Sequence, residues 1–317
     1  LNREHIDIRR REKYMISQAR ERRAVSFSSE LSRRMGSVMS IATLRVVTIP
    51  PTMTIKGAAE TMSRYRFRRL PVTDPGTNRL RGIVGSSDIV ELLGGGEKSR
   101  LIRDKYQGNF IAAMNESVRE LMVTDVVTLS TTSSIADAMH ELLTSRVGGA
   151  VIVDDDHSVA GIVTERDFVH ILAGKSTGMQ VEEHMTERVI TATPGTSLGD
   201  AARIMCRNSI RRLPVVSEGR LVGILTTRML IDFIGSSRVF SRLIRNSVDE
   251  VLGTKVEEIM STSVPTISAT ADLGEAAAMI ERTGMGTVCV LGDGELAGIL
   301  TERDILEAVG GAEVEGA

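Results

Sequence analysis

The sequence predicts an α+β fold of four small β-α-β-β-α units, paired two by two, behind an N-terminal helical extension. Three recurrences carry this reading. Arg68-Arg69-Leu70-Pro71-Val72 returns as Arg211-Arg212-Leu213-Pro214-Val215, and Gly161-Ile162-Val163-Thr164-Glu165-Arg166-Asp167 returns as Gly298-Ile299-Leu300-Thr301-Glu302-Arg303-Asp304. Ser99-Arg100-Leu101-Ile102-Arg103 returns as Ser241-Arg242-Leu243-Ile244-Arg245. The offset is roughly 140 positions each time, so the duplicated object is a half-chain. Within the halves, Gly82-Ile83-Val84-Gly85-Ser86-Ser87-Asp88 and Gly223-Ile224-Leu225-Thr226-Thr227-Arg228-Met229 stand where the other copies read GI(V/L)TERD.

In chain order, residues 1–35 lie outside the repeat and read as a basic, polar helix rich in arginine (Arg9, Arg10, Arg11, Arg22, Arg23, Arg33, Arg34). Unit 1 spans 36–95, a linking helix 96–117, unit 2 118–175 and unit 3 176–238. A second linking helix spans 239–254, unit 4 255–311 and a tail 312–317. Each unit opens on a Met-ended turn: Val38-Met39, Leu121-Met122, His184-Met185 and Ile259-Met260. A short extended piece with Thr48, Thr128, Thr191 or Thr266 follows, then an Ala- and Met-rich helix. Residues 135–143, IADAMHELL, show its 3.6-residue period. Two β-rich runs split by a polar turn, as in AVIVDDDHSVAGIV at 150–163, predict a hairpin, and the second helix starts at Thr164 or its equivalent. One such unit has too little apolar area to stand alone, so the units are expected to pair sheet against sheet.

Composition narrows the function. With 39 basic and 41 acidic residues the chain is nearly neutral, which gives no general reason for nucleic acid or an anionic membrane. No apolar run reaches the length of about 18 residues that a membrane span needs. The Arg-rich start lacks the apolar core of a secretory signal, so the cytoplasm is the expected location. Tryptophan is absent, which disfavours aromatic stacking as the binding chemistry. Cys206 and Cys289 have no metal-ligand or CxxC spacing, and His5, His140, His157, His170 and His184 are scattered. No convergent acid-base, nucleophile or metal set is legible, so the chain does not read as an enzyme.

The repeat of GIVTERD, RRLPV and the Met-ended start resembles the cystathionine-β-synthase (CBS) domain, in four copies forming two tandem pairs, or Bateman modules, over residues 36–311. Similar four-copy chains include the γ subunit of the AMP-activated kinase. The resemblance implies an adenosine-type ligand (AMP, ADP, ATP or S-adenosylmethionine) in clefts between paired units, and no obligatory cofactor. It assigns ribose hydroxyls to Asp167 and Asp304, with Thr164 and Thr301 holding ribose or phosphate. Unit 1 keeps Asp88 but has Gly85 in place of the threonine; unit 3 keeps Thr226 but has Met229 in place of the aspartate. Methionine is a poor acceptor for a diol, so unit 3 is expected to bind ribose weakly or not at all. The resemblance also puts Ser40, Thr186 and Ser261 near the adenosine, where Val123 breaks the pattern; the alternative is that small residues there serve a tight turn. The resemblance further implies that Arg68, Arg69, Arg211 and Arg212 reach ligand phosphates, with surface salt bridges the alternative for each of the four.

The residues themselves allow a plainer reading of TERD. A strand-to-helix junction offers unpaired N–H groups to an anion, but Thr164 with Asp167 and Thr301 with Asp304 also have the spacing of a helix cap. The reading adopted is a non-catalytic sensor that signals through an unknown protein partner or through self-association, including a homodimer. One chain supplies enough units to close a flat disc. The alternatives are a nucleic-acid-binding regulator using the basic head and a scaffold with empty clefts. The head interleaves its arginines with acids and shows no aromatic or helix-turn-helix pattern, and the retained Asp88, Asp167 and Asp304 argue against empty clefts.

Overall fold

The computed structural model describes residues 36–240 and 243–314, so the basic head over 1–35 lies outside the described residues. Every unit begins with a 3₁₀ turn opened by a buried valine: Val38–Ser40, Val118–Glu120, Val181–Glu183 and Val256–Glu258. Unit 1 continues with α1 (Ile55–Tyr65), β1 (Arg69–Thr73), β2 (Leu80–Gly85) and α2 (Ser86–Gly94), and α3 (Phe110–Met114) lies in the segment that follows. Unit 2 has β3 (Thr128–Ser130), α4 (Ile135–Thr144), β4 (Gly149–Val153), β5 (Val159–Thr164) and α5 (Glu165–Leu172). Unit 3 has α6 (Leu198–Arg207), β6 (Arg212–Ser217), β7 (Arg220–Thr226) and α7 (Thr227–Ile234), followed by α8 (Ser237–Phe240) and α9 (Val248–Leu252). Unit 4 has β8 (Thr266–Ser268), α10 (Leu273–Thr283), β9 (Thr287–Gly292), β10 (Glu295–Thr301) and α11 (Glu302–Val314).

Local chemistry explains the repeat. The first helix of each unit is capped by a short polar side chain, Thr54, Ser134, Ser197 or Asp272, which accepts a hydrogen bond from a first-turn N–H. Left-handed backbone at Arg66, Arg146, Ser209 and Gly284 then turns the chain into its hairpin. The hairpins are antiparallel, and the leading strand joins them in parallel, β3 on β4 and β8 on β9. In units 1 and 3 that strand shrinks to single bridges, Ile49 to Val72 and Ala192 to Val215. Pro50, Pro51 and Pro194 follow there and lack the N–H a ladder needs.

Each leading segment crosses to the partner unit. Thr43 pairs with Ile162, Val123 with Ile83, Thr186 with Ile299, and Ser261 with Ile224. The glycine of GI(V/L) exists for this crossing: a Cβ on Gly298 would lie 2.5 Å from Met185 Sδ, and one on Gly223 would lie 2.6 Å from Met260 Sδ. The recurring methionine and the recurring glycine are thus two sides of one contact.

Sheet pairing within a module does not complete the core, contrary to the expectation from area. Two apolar cores form between the halves instead. One joins units 1 and 3 through Ile55, Leu93, Ala202, Phe233 and their neighbours, and the other joins units 2 and 4 through Met139, Phe168, Ala277 and Ile305. Helix α2 packs on α6, α1 on α7, α5 on α10 and α4 on α11. Four units therefore close a ring within one chain, sheets and helices alternating as its interfaces. The predicted linking helices are broken. The first holds a π-helical turn, Leu101–Lys105, and then α3, separated by left-handed Gln107 and Gly108. The second breaks before α9 at left-handed Asn246. The breaks let the two segments cross, with Phe110 N donating to Asn246 O and Val248 N to Gly108 O, both at 2.8 Å. Among the described residues no helix is long and apolar enough to span a membrane.

Candidate nucleotide clefts and the arginine hub

In units 1, 2 and 4 the second helix starts at the rim of a cleft, and its first residues decide what the cleft offers. In unit 2, Thr164 donates its N–H (2.7 Å) and its hydroxyl (2.9 Å) to Asp167 Oδ2. Thr301 N donates to Asp304 Oδ2 at 2.7 Å in unit 4, and Gly85 N donates to Asp88 Oδ2 at 2.6 Å in unit 1. The aspartate therefore does tie down the helix start, as the plainer reading of TERD requires. In unit 3, Thr226 Oγ1 accepts from Met229 N at 3.3 Å, while Met229 packs against the apolar core.

Capping does not use all that the carboxylates offer, because each also faces a cavity. The Asp88 cavity, about 740 Å³, is walled by Arg69, Val123, Arg146, Gly148, Cys206 and Arg211. The Asp167 cavity, about 180 Å³, is walled by Thr43, Thr164, Arg45, Arg68 and Arg166. The Asp304 cavity, about 430 Å³, is walled by Thr186, Ile190, Thr301, Arg188 and Arg212. Burial raises the Asp167 and Asp304 carboxyls above the usual aspartate range, even though the threonine hydrogen bonds pull the other way.

Thr186 reaches its cleft because the start of unit 3 crosses onto the strand of unit 4. The crossing corrects one assignment. Ser40 is exposed, closes its own 3₁₀ turn by donating to Ser37 O at 2.8 Å, and lies three residues before Thr43, which pairs with Ile162 and lines the Asp167 cleft. The misplacement comes from aligning on Met39. The aligned turn is opened by Val38, and Ala42 then stands where the other units have methionine. Ser261 holds the crossing position on unit 3, pairing with Ile224, but its hydroxyl donates to Ser263 O and accepts from Ser263 N, both at 3.2 Å.

The four predicted arginines meet at the middle of the ring. Arg68 pairs with Glu302, and Arg212 Nη2 lies 3.3 Å from the same Oε2. Arg211 Nη2 lies 3.2 Å from Glu165 Oε2. Both glutamates are buried, at 2 % exposure for Glu165 and 1 % for Glu302. The arginine of each TERD crosses between the halves: Arg166 Nε donates to Glu302 Oε1 at 3.0 Å, and Arg303 Nε lies 2.8 Å from Glu165 Oε1 without hydrogen-bond alignment. Space for this hub comes from glycine. A Cβ on Gly148 would sit 2.3 Å from Arg69 Nη2, and one on Gly286 would sit 2.3 Å from Arg68 Nη2 and 2.5 Å from Arg212 Nη2.

Six arginines around two glutamates leave the hub strongly positive. Burial, then the neighbouring charge of Arg211, lowers the Arg69 guanidinium to about 10; burial, then Arg68, lowers that of Arg212 to about 9. Glu302 is held far below the usual carboxylate range by Arg68 and Arg212, despite burial acting against it. The hub is thus an anion-seeking centre that opens onto three clefts, Arg69 walling two of them and Arg211 two.

Comparison with known proteins agrees with the repeat. The family model of the CBS domain matches residues 38–95, 118–174, 181–236 and 256–311. Protein MJ1225 of Methanocaldococcus jannaschii is 42 % identical over 273 residues, covering 85 % of this chain and 98 % of that protein. Its crystal structure, described as that of a proposed archaeal homologue of γ-AMPK, superposes with a TM-score of 0.81 over 86 % of this chain and 99 % of that one. A 33.4 kDa protein from a ribosomal RNA operon of Thermofilum pendens is 30 % identical over 84 % of this chain and 91 % of its own length. A conserved Pyrococcus horikoshii protein at 22 % identity has a TM-score of 0.56 and shares the fold.

Proposed function

We propose, on the premise that this chain belongs to the CBS domain family with four copies of the domain, that it is a non-catalytic regulator that binds adenosine-type nucleotides in three of its four clefts. One observation supports this above the others. Asp88, Asp167 and Asp304 each border a cavity that hub arginines also line, a pairing of diol acceptor and phosphate donor. The carboxylate takes the ribose, the crossing strand of the partner unit flanks the base, and the phosphates point to the hub. Thr164 and Thr301 hold the aspartates in place. Unit 3 offers Met229 instead and takes no ribose. Because each filled cleft touches both units of a module and the shared hub, occupancy changes how the halves meet, which a protein partner can read.

Calorimetry against AMP, ADP, ATP and S-adenosylmethionine tests this. Three binding events or fewer are expected, with tighter binding for the phosphorylated ligands. Asp167→Ala and Asp304→Ala should each remove one event, since losing a charged acceptor costs about 1.5 to 3 kcal/mol, a ten-fold to hundred-fold weakening. Unchanged stoichiometry and affinity in both variants would reduce TERD to a helix cap.

A further inference from the structure

Asp88, Asp167 and Asp304 occupy one backbone position in three units, yet their partners differ. Asp167 and Asp304 are held through Oδ2 by the preceding threonine, and among the described residues neither carboxylate has a basic side chain in ion-pair contact. Asp88 Oδ2 accepts from Gly85 N, and its Oδ1 is paired with Lys98 Nζ, which also lies 3.5 Å from Glu91 Oε2. Both Asp88 oxygens are engaged, and Lys98 holds Oδ1, the oxygen that neither threonine uses at Asp167 and Asp304.

We propose that Lys98 is an internal competitor for the Asp88 carboxylate, so that the unit 1 cleft takes a ribosyl ligand only when the segment carrying Lys98 lets go of α2. This rests on the nucleotide reading above. The segment is built for release at one end and transmission at the other. Lys98 follows Gly94-Gly95-Gly96, with Gly95 in left-handed backbone at φ 80°, and Ser99 turns back to donate its N–H and hydroxyl to Gly96 O. The π-helical turn Leu101–Lys105 then runs to the place where Asn109 pairs with Ser247 of the other half. Displacing Lys98 therefore disturbs the strut that leads to the crossing.

The duplicated half shows what happens without the pair. By the repeat Ser99-Arg100-Leu101 and Ser241-Arg242-Leu243, the counterpart of Lys98 is Phe240, and that of Asp88 is Met229. Phe240 faces Phe110 with ring centres 6.4 Å apart, and both Phe240 and Met229 pack against the apolar core. One half thus carries a charged pair, the other two apolar side chains at the matching positions and no aspartate for a diol. When the competent form is a minority, the apparent affinity falls by its fraction, so a latch closed about nine-tenths of the time weakens binding about ten-fold.

The test uses the full chain with Asp167→Ala and Asp304→Ala, which leaves Asp88 as the one carboxylate at the position the three share, titrated with AMP with and without Lys98→Met. AMP should bind about ten-fold tighter when Lys98 is replaced, and hydrogen exchange over 97–105 should rise on AMP binding in the chain that keeps Lys98. In the Lys98→Met chain that exchange should be high without AMP and unaltered by it. Lys98→Gln serves if the Met variant does not fold. Equal or weaker AMP binding overturns the proposal, since Lys98 is then idle or is itself a ligand contact. So does absence of binding with and without Lys98 in a chain whose unaltered form binds AMP. Failure of the unaltered chain to bind AMP, ADP or ATP would instead remove the nucleotide reading beneath it.

Discussion

Replacing Glu302 by glutamine separates the stability of the hub from its affinity for anions, because the two should move in opposite directions. Glu302 is paired with Arg68, Arg166 and Arg212. Removing one partner of a buried ion pair costs about 3–5 kcal/mol, because the remaining charge stays buried. Here the arginines are unequally shielded: Arg166 is 41 % exposed and regains water, while Arg212 is 9 % exposed and does not. The lower figure, about 3 kcal/mol, is therefore expected, a fall in Tm of about 6 °C at roughly 2 °C per kcal/mol for a chain of this size. Glu302 ionises well below its unfolded value, so its contribution is present above the unfolded pKa and is lost as pH falls through the folded one. The deficit of the variant should accordingly be full at neutral pH and shrink only in strong acid. The same change makes the hub more positive, so ATP should bind several-fold tighter despite the weaker fold. Differential scanning calorimetry and ATP titration read the two effects. A Tm within about 2 °C of the parent, or stability and ATP affinity falling together, would refute the account of the hub as an anion-seeking centre.

Two further outcomes follow from the same geometry. Gly284→Ala and Gly286→Ala both place a side chain in left-handed backbone, but a Cβ on Gly284 meets nothing within 4 Å whereas one on Gly286 meets Arg68, Arg212 and Glu302. The first should cost about 1 kcal/mol and the second about 3 by denaturant unfolding, and equal costs would mean that the hub has slack. Since burial raises the carboxyls of Asp167 and Asp304, they protonate at a higher pH than an ordinary aspartate, and on acidification affinity for a diol should fall before the ordinary aspartate range is reached. Their folded values lie above the unfolded ones, so acidification relieves rather than removes their own part in stability. Adenosine, which carries no titrating phosphate, is the probe for calorimetry across pH; constant affinity down to the ordinary aspartate range would show that these carboxylates do not bind the ribose.

The repeat was legible because each copy repeats a physical contact. Gly298 and Met185 recur in sequence since one approaches the other across two units, and the cap residues recur since every first helix needs one. What could not be read was anything decided by a third or fourth unit. Arg68 and Arg212 looked like hairpin-mouth arginines and turned out to share Glu302, a residue far along the chain. A complementary pattern was there to be seen: units with Arg-Arg carry Ser86 or Thr227 where units with Gly148 or Gly286 carry Glu165 or Glu302. Ser40 failed for a simpler reason, because Met39 copies the motif in a turn whose register is set by Val38. The linking segments kept their helical composition but broke at Gly108 and Asn246, where the two must cross.

The apolar cores that run between the halves make each half a self-complementary object. A half-chain would present the faces of both α1 and α2 and α4 and α5, which its own copy can cover about a two-fold axis, so two identical halves would rebuild the ring as a symmetric dimer. Joining them in one polypeptide replaces a concentration-dependent encounter with an effective concentration in about the millimolar range. Symmetry is then no longer enforced by assembly. In a dimer, a change at one position appears twice; in the fused chain Asp88 can stand in one half while Met229 stands in the other. Covalent linkage is what allows the four clefts to become unequal.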